Sequence, residues 1–403
     1  MPKTNYILFF IVLYFSGHAH AASGEVYQQE PIEKVFIFDR YGSPYSGSSI
    51  LMSTRTLLNE LEDYLIPKEK RQSIVTRIIS CLVNYYIGVQ LSTVNHEIFG
   101  HGFRVRSLGG SVDSYKFSFG AGGATRFTIR YSKNEIDKIV LIGIGGIEAN
   151  KVLAKEIILK HFKYRTLDVR TYFVFLDSFL DLLNYVGTTA SSEKVRNSKG
   201  NDIMNYLKDI NDKHQTQQRI ELNDLENATS SLLFNPLWTL CVYIFKDNPS
   251  LTIPHVIWND IAYMPLIRPG LTPFGIAYYL ENYIGYENKT ALVSLYGGSS
   301  PFYTHIYGGL GLKTDELWAY QDYCTLDIEA SLWYQPKLQL TLLDIIEDKN
   351  YWGGLIGVGS KFMVNSYFAL YTKLLYKTKG FVEGVVAQNG LILQVGCSLH
   401  YSD

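Results

Sequence analysis

After residue 270 the chain alternates apolar and polar residues with a period of two, and no other feature constrains its fold so tightly. In 325–335, Leu326, Ile328, Ala330, Leu332 and Tyr334 alternate with Thr325, Asp327, Glu329, Ser331, Trp333 and Gln335. The pattern continues through Leu338, Leu340 and Leu342. Trp352, Ile356, Val358, Phe362 and Val364 share a parity opposite Gly353, Gly357, Gly359 and Lys361. In 391–401, Leu391, Leu393, Val395, Cys397, Leu399 and Tyr401 oppose Gln394, Gly396, Ser398 and His400. Side chains of a strand point to opposite faces in turn, so each run is a strand with one apolar and one polar face. Turn sequences such as "GGSS", "QPK", "EDKN", "TKG" and "QNG" separate the runs. About eight strands with short connections predict an antiparallel meander closed as a barrel.

Strands of this kind suit a barrel whose apolar face meets lipid and whose polar face lines the lumen. A soluble barrel or sandwich needs the reverse orientation. In pattern, residues 270–403 resemble outer-membrane barrels, and the aromatic final strand favours that version. Before residue 270 the period is helical: 53–65, 69–107, 133–161, 168–186 and 228–246. A β-hairpin interrupts it at 112–130, where Tyr115, Phe117 and Phe119 alternate ahead of a glycine turn. The polar stretch 188–227 reads as a surface helix with loose flanks. The predicted class is therefore α+β. A signal peptide occupies 1–21, with Lys3, an apolar core at 6–15 and Ala19-His20-Ala21 as cleavage site. An extension (22–52), a helical domain (53–270) and the barrel (271–403) follow. The segment 73–94 is apolar except for Arg77 and is long enough to cross a membrane. With a formal net charge of −1 and no basic stripe, the chain has no nucleic-acid signature. Cys81, Cys241, Cys324 and Cys397 form no metal-ribbon spacing and are expected as buried apolar residues, with one or two bridges open to them in an oxidising compartment.

The chemistry lies in "VNHEIFGHGFRVR", 94–106. His96 and His101 are five apart, with Glu97 beside the first. On an ideal helix five residues turn about 140° beyond a full turn, too far for two imidazoles to share one tetrahedral ion. A π-turn, closing at i+5, returns the fifth residue to the starting face, and Gly100 eases the distortion.

His96-Glu97-Ile98-Phe99-Gly100-His101 resembles the HExxGH motif of the dipeptidyl peptidase III family, although that family's second, glutamate-rich motif is absent. The resemblance implies that His96 and His101 bind Zn2+ and that Glu97 activates water. The glutamate-zincin plan, in which a second helix supplies a glutamate, points to Glu148 in "IGIGGIEANK", whose small residues permit close helix approach. Asp177 and Asp181, four apart on an apolar helix, are the alternatives, as ligand or as a group orienting a ligand histidine.

The expected function is thus a membrane-associated zinc metallopeptidase acting on a peptide or protein substrate. Membrane lipid is the second partner, and the outer membrane, facing the periplasm, the expected location. An inner-membrane location is the alternative, on a helix order similar to site-2-type proteases whose spacing is not matched. A different class is a non-catalytic outer-membrane barrel with a helical plug or periplasmic domain.

Overall fold

The computed structural model describes residues 33–66, 73–119, 122–214, 216–234, 250–287, 289–320, 323–344 and 347–400. The expected signal peptide (1–21), Cys241 and most of the helix expected at 228–246 fall outside these residues. The molecule is α+β, as expected. Its main element is an antiparallel sheet of eleven strands. In spatial order these are β1 (Glu33–Asp39), β15 (Gly390–His400), β14 (Phe368–Lys377), β13 (Asn350–Asn365), β12 (Cys324–Pro336), β10 (Tyr307–Asp315), β9 (Lys289–Gly298), β8 (Gly275–Tyr286), β7 (Ile261–Thr272) and β6 (Val256–Trp258). β11 (Trp318–Tyr320) pairs only with β12. β6 to β15 follow a meander, as the turn-punctuated alternation requires. Among the described residues β1 and β6 end the order and do not pair, so a closed ring of strands is not formed.

Two features escape the alternation rule. β1 comes from the far end of the chain and pairs with β15 from Glu33↔His400 to Asp39↔Gln394. The sheet also starts at Val256, ahead of residue 270. In the other direction, the alternating residues 337–342 are not a strand. Leu338 and Leu340 are buried there, but the backbone N–H of Gln339 donates to Asp137 (2.7 Å) and that of Leu340 to Asp344 (3.0 Å). Carboxylates take the place of a ladder.

One face of the sheet carries exposed apolar residues, and the other buries charged residues among apolar ones. Ile356↔Tyr376, Val358↔Leu374 and Leu374↔Leu393 are cross-strand neighbours on one face, and all five residues are exposed. On the other face Arg268, Glu281, Glu329 and Lys373 are buried. They are paired: Arg268 with Glu281 (2.7 Å) and Glu383 (2.5 Å), and Lys373 with Glu329. Unpaired charges at such depth are prohibitive, so the pairing is obligatory.

Helices pack against this charged face. They are α1 (Pro44–Leu65), α2 (Ile74–Val94), α3 (Gly102–Ser107), α4 (Asp137–His161), α5 (Val169–Ser191), α6 (Glu193–Arg196), α7 (Asp202–His214) and α8 (Leu222–Thr229). α4 is central and buried nearly all round. Its Glu156 reaches Lys313 of β10 at 2.6 Å. α1 is held to β1 by Ser49 and Ser53, whose hydroxyls donate to the Val35 carbonyl at 2.6 and 2.5 Å. The hairpin is present as β2 (Ser111–Phe117) and β3 (Gly123–Thr128). A further short pair joins β4 (Thr166–Asp168) to β5 (Ser250–Thr252). Cys81, Cys324 and Cys397 are free thiols and only half-buried.

Candidate metal centre

Between α2 and α3 the chain makes a π-helical turn over Asn95–His101. The N–H of Gly102 donates to the Glu97 carbonyl, five residues back. This is the turn that the five-residue histidine spacing demands. It brings the rings of His96 and His101 to 4.9 Å between centroids, and both residues are buried.

Glycines let α4 press onto this turn. A Cβ at Gly100 would come within 2.6 Å of the Gly145 carbonyl oxygen, and one at Gly146 would overlap the His96 imidazole. "GIGG" in α4 is therefore a contact surface for the π-turn, as its small residues suggest.

The third group at the histidines is Asp202, the first residue of α7. Its Oδ2 lies 3.0 Å from His96 Nε2 and 3.1 Å from His101 Nε2. The three ligand atoms lie within 4.8 Å of one another. Asn201 starts α7: its Oδ1 accepts from the Met204 N–H (2.9 Å), and its Nδ2 donates to Thr189 at the end of α5 (3.0 Å). α7 then buries Ile203, Tyr206, Leu207 and Ile210, residues at helical spacing, in a cluster that includes Val140, Leu141 and Ile144 of α4. Docking of that apolar face delivers Asp202 to the π-turn. The stretch had the mark of a surface helix, but nothing in its own pattern links it to histidines 101 and 106 residues earlier.

Both far sides of the rings are held. His101 Nδ1 sits 2.6 Å from the Ile142 carbonyl oxygen, which only accepts, so Nδ1 carries a proton. His96 Nδ1 is 3.2 Å from Asp181 Oδ2. Asp181 is itself positioned by Asn150 Nδ2 at 3.0 Å, and Asn150 Oδ1 accepts from Asn95 at 3.0 Å. Tyr185 stacks on the outer face of the His96 ring, 5.9 Å away and nearly parallel. Asp181 thus takes the orienting place open to it in the sequence. Asp177 lies apart from the histidines, accepts from the Ser92 hydroxyl, and is pushed up to about 6 by burial.

Glu148 does not join the cluster. Its carboxylate accepts from Arg104 Nε at 2.7 Å, from Arg104 Nη2, and from the Gly384 N–H at 2.5 Å. The small residues of α4 do bring it near the π-turn, but it lies on the side facing α3. There a buried guanidinium claims it, and the carboxylate at the histidines is Asp202 instead. Glu97 is buried under the hairpin. Its Oε2 accepts from Thr125 Oγ1 at 2.6 Å, and a Cβ at Gly123 would lie 2.5 Å from its Cγ.

The electrostatics are those of a cation site. Burial pushes the Asp202 carboxyl up, but His101 and then His96 outweigh it and hold it below the usual carboxylate range. Burial disfavours charge on the imidazoles. Asp181, helped by Asp202, nevertheless raises His96 well above its ordinary value, and Asp202 with Glu97 raises His101. Each Nε2 of the two buried histidines faces the Asp202 carboxylate. Two protons or one metal ion satisfy that arrangement, and two imidazole nitrogens with one carboxylate are a standard donor set for zinc. No protein-family model, no curated protein and no solved structure matches the chain.

Proposed function

We propose that the chain is a membrane-associated zinc hydrolase acting on peptide bonds, with His96, His101 and Asp202 as ligands and Glu97 as general base. One observation carries the reading. The Nε2 atoms of both histidines converge on a single carboxylate oxygen, while acceptors hold both Nδ1 atoms from behind. Outer partners of that kind fix the tautomer and ring orientation of metal-binding histidines. A zinc ion held by three protein ligands supplies Lewis acidity and an acidified water. Glu97 follows His96 directly, and its charge is felt at His101. It would take the proton from the attacking water, a role worth roughly 10²–10⁴-fold in rate. Strand β3 passes over Glu97, and an extended peptide laid along that strand would be carried past the base. The outward apolar face of the sheet supports attachment to a membrane, with the polar face turned inward as in outer-membrane barrels.

The same donors suit iron(II) in oxygenases, so metal identity is the first measurement. The purified full chain is expected to hold one zinc per molecule. Asp202→Ala should lose it. Glu97→Gln should retain it while losing chelator-sensitive peptide hydrolysis. Absence of stoichiometric metal, or full hydrolysis in Glu97→Gln, overturns the proposal.

A further inference from the structure

Helix α2 is built inside out. The charged and polar side chains of an aqueous helix belong on its exposed face and the apolar ones inside. In α2 the buried residues are Asn84, Gly88 and Ser92, spaced by four and therefore on one stripe. Asn84 Nδ2 donates to Glu62 of α1 at 3.0 Å, and Asn84 Oδ1 accepts from Arg55. Ser80, one step earlier on the stripe, donates to Glu62 at 2.7 Å. Gly88 seats against the Phe173 backbone of α5, where a Cβ would lie 3.0 Å from the carbonyl. Ser92 donates to Asp177 of α5. The exposed face carries Val75, Ile78, Ile79, Leu82, Val83 and Tyr86.

Only 11% of the most apolar window of this helix is buried, which removes the reading of a core helix. Polar and small residues turned toward neighbouring helices, with apolar ones turned out, are how helices pack inside a bilayer. Its 21 residues span about 31 Å at 1.5 Å per residue, against a hydrocarbon thickness of about 30 Å. The one charged residue, Arg77, lies in the first turn, at the end of the helix and away from the middle of the span.

The position of α2 gives this face its meaning. α1 lies along the edge strand β1, α2 along α1, and α5 along α2. One apolar cluster joins Phe173 and Phe179 of α5 to Ala262 and Met264 of β7 at the sheet's other end. The helical layer thus runs from one edge of the sheet to the other.

We propose that α2 is part of the lipid-facing wall: its apolar face and the outer face of the sheet contact the hydrocarbon of one bilayer, and helices fill the gap between β1 and β6. This rests on the reading that the sheet's outer face meets lipid, and is independent of the metal. The test places a nitroxide at Leu82→Cys (66% exposed), Ile356→Cys (63% exposed) or Lys194→Cys in the full chain with its native cysteines replaced by serine. The variants are reconstituted in phosphatidylcholine–phosphatidylethanolamine vesicles, and collision with oxygen and with a polar nickel chelate is measured. The oxygen-to-nickel ratio at Leu82 should equal that at Ile356 and exceed that at Lys194 about tenfold, since polar solutes are excluded from hydrocarbon. A lipid value at Ile356 with a water value at Leu82 overturns the proposal and leaves the sheet reading intact. A water value at Ile356 overturns both.

Discussion

Substituting Glu148 by glutamine separates a structural ion pair from a metal ligand. Glu148 and Arg104 are both buried, and their contact is bidentate. Burial pushes the Glu148 carboxyl up despite Arg104, so taking both charges out of water already costs much of what their attraction returns. The damage in Glu148→Gln comes from what is left behind. The Arg104 guanidinium stays at 0% exposure, with Val385 O (2.8 Å) as its remaining carbonyl acceptor. Breaking one side of such a pair costs about 3–5 kcal/mol. The amide oxygen still accepts one bond, which favours the lower end. At roughly 2.1 cal/mol/K per residue, a chain of this length has an unfolding entropy near 0.8 kcal/mol/K, so the midpoint should fall by about 4–6 °C. Differential scanning calorimetry in detergent measures it, with bound metal assayed on the same sample. Arg104→Met with Glu148→Leu should recover part of the loss, because the stranded charge is gone; the Val385 carbonyl and Gly384 N–H lose their partners and keep recovery incomplete. Metal content should stay at the unmodified level throughout. A Glu148→Gln protein with an unchanged midpoint and no metal would refute the reasoning, since a ligand, not a structural partner, would have been removed.

Two further outcomes concern the centre. Both histidines have raised proton affinity in the metal-free fold, so a metal must displace protons from Nε2; affinity should be full above the raised imidazole pKa and fall as pH drops through it, with proton release visible as buffer-dependent calorimetric heats. Insensitivity of metal affinity between pH 8 and about pH 5 would contradict this, because even unperturbed imidazoles titrate in that range. Asp181→Asn removes the anion behind His96 Nδ1 and should weaken metal binding about 10–100-fold with the fold intact, read by competition with a chromophoric chelator; unchanged affinity would assign Asp181 a packing role only.

The local patterns were legible in the chain. A spacing of five between His96 and His101 forces a π-turn if the two rings are to meet, and that turn is present. Period-two alternation marked β12, β13 and β15, and small residues in α4 marked its close approach to the π-turn. These signals depend on neighbours within one or two turns of backbone, where periodicity and sterics act directly. Alternation failed at 337–342, where buried leucines pack without a ladder because nearby carboxylates take the backbone donors.

Long-range partners were not legible. Asp202 and Glu148 are both acids on helices with apolar faces, and Glu148 had the more suggestive surroundings. Which one reaches the histidines depends on how α7 docks on α4 and on where Arg104 emerges from α3. β1 likewise has no local mark of the strand it joins more than 350 residues later. Sequence alone determined the period of each segment and the distortion at the histidines. Tertiary structure decided which carboxylate met the imidazoles and which was neutralised by arginine, because that choice follows from packing whole apolar faces together and from the cost of leaving any buried charge without a partner.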